Sequence, residues 1–243
     1  MADDASPLDI DPFRRRLLDG LATSIGERGY RATTVADIVR HARTSKRTFY
    51  DRFVSKEQCF LELLRADSER LSEEIRAAVD PEADWHRQIR QAVDAYVGSI
   101  ESRPAIALSW IRELPSLGAA ARPVQRRGLE LLTNLLVDLS GSLGFRRAGL
   151  PPLTPPLAVI LLGGLRELTA LAVEDGHDIR QIVEPAVDAS VALLGRGSET
   201  DNFPGRRCVP TAILNRSAEA HRKALRKRIF RCTNGGGARL FTP

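Results

Sequence analysis

Cysteine is scarce in this chain. Its three copies, Cys59, Cys208 and Cys232, are odd in number and far apart, which excludes a disulfide framework and offers no paired metal-ligand spacing. Histidine is equally thin. His41, His86, His177 and His221 stand neither in pairs nor beside a nucleophile motif, so the sequence indicates no catalytic residues, no metal and no cofactor. The strongest apolar run, residues 157–165, stops at Arg166, short of the ~20 residues that a bilayer-spanning helix needs. No membrane segment is expected. The start, MADDASPLDIDPF, lacks the basic and apolar stretches of a secretory signal, and the expectation is a cytoplasmic protein. Period-two alternation is missing throughout, which leaves no candidate strand.

What is present is helical periodicity and an uneven charge. The net charge is +5, yet residues 197–243 hold ten Lys/Arg against three Asp/Glu, so residues 1–196 sum to −2. Within that slightly acidic body, residues 28–56 carry eight basic side chains and two acidic ones, Asp37 and Asp51. Such an island is the footprint of a local polyanion contact.

The island lies on a run of short helices with readable ends. Phe13, Leu17, Leu18, Leu21, Ala22 and Ile25 recur at helical spacing, and Gly29 is placed to end that helix. Thr34 and Asp37 have capping-box spacing ahead of Val35, Ile38, Val39 and Ala42, which share a face. Ser45 is suited to cap a third helix, in which Phe49 and Phe53, four apart, point inward. Ser55 and Gln58 repeat the capping spacing and open a long helix that Pro81 closes.

With the Phe pair inward, a rotation of 100° per residue turns Arg47, Thr48, Tyr50 and Asp51 outward. Lys46, in the first turn, is long enough to reach the same side. In a major groove, Arg or Lys can donate to guanine O6 and N7, and Thr can touch a thymine methyl. Lys56, beside the exposed N–H groups of the next helix, suits a phosphate. Asp51 is four residues from Arg47, a spacing that permits an orienting ion pair.

The stretch RGYRATTVADIVRHARTSKRTFYDRFVSKEQCF, residues 28–60, resembles the DNA-binding signature of the TetR family of transcriptional regulators, from its Thr-Thr-Val start to its Phe-Tyr-x-x-Phe-x-x-Lys-Glu end. The resemblance implies an all-α regulator. Its N-terminal three-helix helix-turn-helix DNA-binding domain, residues 1–54, would be followed by a helical ligand-binding and dimerisation domain, residues 55–196. It implies Thr34, Tyr50 and Lys56 at phosphates and Lys46, Arg47 and Thr48 at base edges, with Thr33, Arg43 and Ser45 completing the DNA-binding set. Where the family usually has glycine in the turn, this chain has Arg43; in a left-handed conformation it would cost roughly 1 kcal/mol, so a differently built turn is one expectation.

Helical patterning continues beyond the head, through an apolar stripe from Trp85 to Ile100, a segment bracketed by Pro104 and Pro115, and a leucine-rich helix ending near Gly141. The stretch GLPPLTPP is a connector, and two further helices follow, residues 157–173 and about 179–194. By the resemblance, Trp85, Tyr96, Trp110 and Glu113, with Arg112, lie in helices that would line a ligand cavity. The closing helices would form a dimer surface with Gly163, Gly164, Leu168, Val187 and Val191. The Gly-Gly pair follows no strand and precedes no Lys-Ser/Thr, so close helix packing is its reading rather than a nucleotide loop.

The function implied is a ligand-responsive regulator, most simply a repressor. It would bind a palindromic double-stranded DNA operator as a homodimer and be released by a small, apolar effector. An alternative is a helical protein-interaction scaffold with a basic head. Residues 197–243 read as a basic tail, expected to be disordered.

Overall fold

Capping chemistry sets the boundaries of the first four helices. A computed structural model describes residues 11–195. Helix α1 (Pro12–Ala32) begins at Asp11, whose side chain accepts from the Phe13 N–H, and breaks at Gly29, where φ is 77°. Helix α2 (Val35–His41) carries the complete Thr34–Asp37 capping box. Ser45 caps α3 (Lys46–Tyr50) by accepting from the Thr48 N–H, and Ser55 caps α4 (Lys56–Ala78) through the Gln58 N–H. The Gln58 side chain in turn accepts from the Val54 N–H, one residue before the cap, at 2.7 Å.

The body adds α5 (Trp85–Ser102) and α6 (Pro104–Leu108). A π-helical turn, Ser109–Glu113, and a 3-10 stretch, Leu114–Ala120, run from there into α7 (Arg122–Ser140). The segment read as one proline-bracketed helix is therefore three kinds of helix in succession. A short α8 (Leu143–Arg147) precedes the proline connector, whose last two prolines open α9 (Pro155–Glu174) at positions where a missing N–H costs nothing. A 3-10 turn, Ile179–Ile182, leads into α10 (Val183–Gly195). No strand occurs among the described residues, and the chain is all-α.

Helix α9 is longer than the apolar run, residues 157–165, that marked it in the sequence. At 20 residues it is long and apolar enough to cross a bilayer by length and composition. In the fold, however, it walls a cavity in the body and carries Arg166 and Glu167 at its centre, the latter ion-paired across to Arg112.

Two apolar cores hold the described residues together. The head core joins Leu17, Leu21 and Ile25 of α1 to Ile38 of α2, Phe49, Phe53, and Phe60 and Leu64 of α4. It extends beyond residue 54 and takes in Ile106, Leu114 and Ala121. Helix α1 crosses α2 at Gly20, where a Cβ would lie 2.7 Å from the Ile38 carbonyl oxygen, so only glycine admits this approach. The body core gathers residues from α4, α5, α7, α9 and α10, including Ile75, Val97, Leu135, Ala172 and Val187. The basic tail, residues 197–243, lies outside the described residues.

Candidate nucleic-acid interface and effector cavity

The helix-turn-helix is anchored from below and left open above. Phe49 is fully buried, with Tyr50 edge-on at 5.3 Å between ring centroids and Phe53 at 5.7 Å. Because successive helical residues turn by about 100°, burying Phe49 and Phe53 leaves Lys46, Arg47 and Tyr50 exposed. Tyr50 keeps 58% of its surface in solvent. Thr48 is half-buried and its hydroxyl lies 2.9 Å from that of Ser45, so the capping residue also fixes a residue of the outer face.

The eight basic residues of the island divide into two groups. Arg28 and Arg40 pair with Asp37, Arg31 with Glu113 and Arg52 with Asp11. Lys56 donates to the carbonyl oxygens of Tyr30 at 3.1 Å and Thr33 at 2.9 Å, while its ammonium sits 4.3 Å above the Tyr30 ring. It thus clamps the α1–α2 junction instead of lying beside the helix with a free charge. The remaining three, Arg43, Lys46 and Arg47, are exposed and have no hydrogen-bond or ion-pair partner among the described residues. They are contiguous across the turn and the first turn of α3. The Arg47–Asp51 pair that the spacing permits is not formed; Asp51 serves as C-cap, its N–H donating to the Arg47 and Phe49 carbonyls.

Thr33 and Thr34 form the joint between α1 and α2. Thr33 is buried, its hydroxyl bonded to the Gly29 carbonyl at 2.8 Å. Thr34 is exposed, and its hydroxyl donates to Asp37 at 2.7 Å. That hydrogen bond, then the one from the Thr34 N–H, lowers the Asp37 carboxyl below its usual range. Arg43 has φ 49°. The turn has the left-handed residue that glycine usually supplies, built with arginine. Arg43→Gly is expected to raise stability by about 1 kcal/mol, visible as a higher denaturant midpoint, because it relieves the strained Cβ. An unchanged or lower midpoint would mean that the strain is offset by contacts of the Arg stem.

A second feature lies in the body. A cavity of about 300 Å³ lies between α5, α7, α9 and α10, at the lower end of ligand-site volumes. Its wall is mostly leucine, with isoleucine, valine, alanine and Phe145, and four polar residues, each already engaged. Gln88 donates to the Pro81 and Ala83 carbonyls, Tyr96 shares a 2.8 Å hydrogen bond with Thr169, and Ser140 and Ser190 bond backbone carbonyls of their own helix. Burial pushes the Tyr96 phenol up to about 12. No charged side chain lines the space, so an apolar molecule fits it.

Of the four residues expected at a ligand site, Tyr96 lines this cavity. Trp85 packs against His86 and Phe145, Trp110 packs on the head core, and Glu113 pairs with Arg31. The leucines that do form the wall, Leu135, Leu139, Leu162 and Leu165 among them, carried no sign in the sequence that set them apart from ordinary core.

The sequence profile of bacterial regulatory proteins of the tetR family matches residues 17–63, the segment that builds the head. Residues 17–63 thus carry the DNA-binding segment of the TetR family of transcriptional regulators. A curated relative, the HTH-type transcriptional activator FasR of Mycolicibacterium smegmatis, is 31% identical over 94 residues, covering 39% of this chain and 43% of the relative. The match thus spans less than half the length of that relative.

Among solved structures, the fatty acid degradation regulator FadR from Bacillus halodurans superposes with a TM-score of 0.62 at 22% identity, over 76% of this chain and 96% of that one. FadR from Bacillus subtilis, in complex with stearoyl-CoA, gives 0.62 at 17%, over 74% and 97%. At these identities the likeness shows a shared TetR-type fold. Such regulators are not enzymes.

The residues expected at a TetR-type dimer surface fall into two places. Gly163 and Gly164 are exposed, with nothing within 4 Å of where a Cβ would stand, and Leu168 keeps 38% exposure. Gly164 and Leu168 also line the cavity. Val187 is buried in the chain's own body core and Val191 packs against it. Val159, Leu171 and Ile160 are also exposed on α9, and Ile160 lines the cavity as well.

Proposed function

We propose that this protein acts in the cytoplasm as a homodimeric, effector-controlled regulator that binds a roughly palindromic operator through α3. The observation that carries the reading is the unpaired trio Arg43, Lys46 and Arg47: three of eight cations left free, side by side, on the exposed side of a short helix anchored by a buried Phe pair. Thr48 and Tyr50 join them on that side, and Ser45 holds Thr48 in place. Thr34 would reach a phosphate from the N-terminus of α2. Two-fold pairing through the outer face of α9, centred on Gly163 and Gly164, would place two heads on successive half-sites.

The effector of this reading is an apolar chain of the fatty-acyl class. The wall offers no partner for a charge, and a structural neighbour holds stearoyl-CoA. Occupying a promoter represses it most directly, and repression is the outcome we assign; an operator upstream of the polymerase site would instead give activation, the activity named for the curated relative.

The test is duplex binding with fragments selected from genomic DNA, followed across salt concentrations and then titrated with stearoyl-CoA. Expected are preference for one sequence class, a linear fall of log affinity with log salt, and a 5- to 150-fold change on adding the ligand, the usual span of ~1–3 kcal/mol couplings. Equal binding to all duplexes would favour a scaffold whose basic head meets an acidic protein.

A further inference from the structure

We propose that the cavity has an anion-receiving margin at Arg166 and Thr133, which takes the carboxylate of a free fatty acid whose chain fills the apolar space. This rests on the reading that the cavity holds a fatty-acyl chain, and it names the chemistry of the chain's polar end. Arg166 stands near the middle of α9, half-buried, with its Nε sealed from solvent. Among the described residues its side chain has no hydrogen-bond or ion-pair partner. The adjoining acid, Glu167, is gripped by Arg112 together with Glu174. Arg70 also has a buried Nε without a partner, but its other nitrogens are spent on Asp67 and Glu74. Arg166 keeps its whole head uncommitted. A guanidinium carries five donors and stays charged, and withdrawing such a donor from water without an acceptor costs free energy.

Helical geometry sets this cation directly behind the wall of the cavity. Arg166 follows Leu165 and comes four residues after Leu162, both of which line the space, and three residues before Thr169. Leu162 and Thr169 are buried, so the Arg166 stem shares the inward side of α9. Thr169 holds the Tyr96 hydroxyl, the phenol of the wall, at 2.8 Å. Burial pushes that phenol up, while the Thr169 hydrogen bond and then the positive charge of Arg166 pull it back. The charge is therefore felt at the edge of the cavity.

The neighbouring helix repeats the pattern. Helix α7 packs against α9, and Thr133 directly follows Leu132 of the wall. Thr133 is buried, and its hydroxyl is neither bonded nor in contact with solvent. Two open donors thus border an otherwise apolar space, each one residue beyond a wall leucine. An amphipathic acid matches this arrangement, because a carboxylate accepts from a guanidinium and from a hydroxyl at once while its chain lies against leucine. An alcohol or a thioester brings no charge to Arg166.

The test compares three probes of one chain length, stearate, stearyl alcohol and stearoyl-CoA, by equilibrium dialysis against full-length native protein, Arg166→Gln and Arg166→Met, at a pH well above the carboxylate range. Native protein is expected to hold stearate at least about tenfold more tightly than the alcohol, the usual worth of a hydrogen bond to a charged group. In both variants the two probes should bind within about twofold of each other, with affinity for the alcohol and for stearoyl-CoA unchanged. Thr133→Val should lower the preference for stearate by about threefold and leave the alcohol alone. Without ligand, the Arg166 variants should keep a thermal midpoint at or above the native one, since they remove a cation that bonds to nothing; a lower midpoint would give Arg166 a structural partner and overturn the proposal. Equal binding of stearate and alcohol to native protein, or a preference that survives both variants, would overturn the carboxylate site and leave the cavity reading intact. Loss of stearoyl-CoA alone in the variants would assign Arg166 to a phosphate and overturn it too. If none of the three probes binds, the cavity reading fails and the proposal fails with it.

Discussion

Phe49→Ala is expected to destabilise the protein by about 3–5 kcal/mol, the usual cost of deleting a fully buried aromatic ring. The ring is completely buried in the head core, against Phe53 and on the inner side of the short helix that exposes Lys46 and Arg47. Total stabilities of ~5–15 kcal/mol leave little margin for such a loss. With five residues, α3 cannot persist on propensity, since isolated helices below ~12–15 residues are marginal even with favourable composition. Duplex binding should therefore disappear together with the near-native denaturant midpoint. Phe53→Leu, which keeps an apolar group of reduced volume, should lose less than half as much. If Phe49→Ala retained both its midpoint and duplex binding, the Phe pair would not be what holds the recognition helix.

The parts of this structure legible in the sequence are those written in contacts three or four residues long. Thr34–Asp37, Ser45–Thr48 and Ser55–Gln58 each bond across three residues, so the helix starts could be read from spacing alone, as could the stop at Gly29 and the inward Phe pair. The count of basic residues was equally plain. Which of them are free was not, because the acids that neutralise Arg31 and Arg52 are 82 and 41 residues away, and Lys56 is taken up by carbonyls that every residue possesses. The turn at Arg43 shows the opposite case: backbone geometry overrode residue preference, and arginine occupies a conformation that glycine adopts more cheaply.

The cavity escaped for a different reason. Trp85, Trp110 and Glu113 stand out by residue type, but a site for an apolar molecule is made from residues identical to those of a packed core. What distinguishes Leu135 or Leu165 as cavity wall is that the facing helices do not quite meet, a property of the assembled body. The π turn is likewise invisible to a 3.6-residue pattern, and the Arg112 grip spans 55 and 62 residues. Proline at 104 and 115 signalled an interruption without showing its kind.

Arg47→Ala is expected to cost ~1–3 kcal/mol at the cognate operator, about 5- to 150-fold, and to relax selectivity at one or two base positions, because an exposed guanidinium can donate twice to guanine O6 and N7. Asp51 does not hold it back, since no ion pair ties the two. Lys56→Ala should behave in another way. Its ammonium is bonded to the Tyr30 and Thr33 carbonyls and sits over the Tyr30 ring, so its removal opens the α1–α2 joint and lowers the thermal midpoint, with the salt dependence of duplex binding nearly intact. Lys46→Ala should do the reverse if its free charge meets a phosphate: an intact midpoint, similar losses on cognate and random duplex, and a salt slope shallower by about 0.9. Measuring the three variants on both duplexes over a salt series separates the roles. A Lys56 variant with a native midpoint and a flattened slope would return that residue to the DNA, and an Arg47 variant weakened equally on random and cognate duplex would remove base reading from α3 and leave it a backbone clamp.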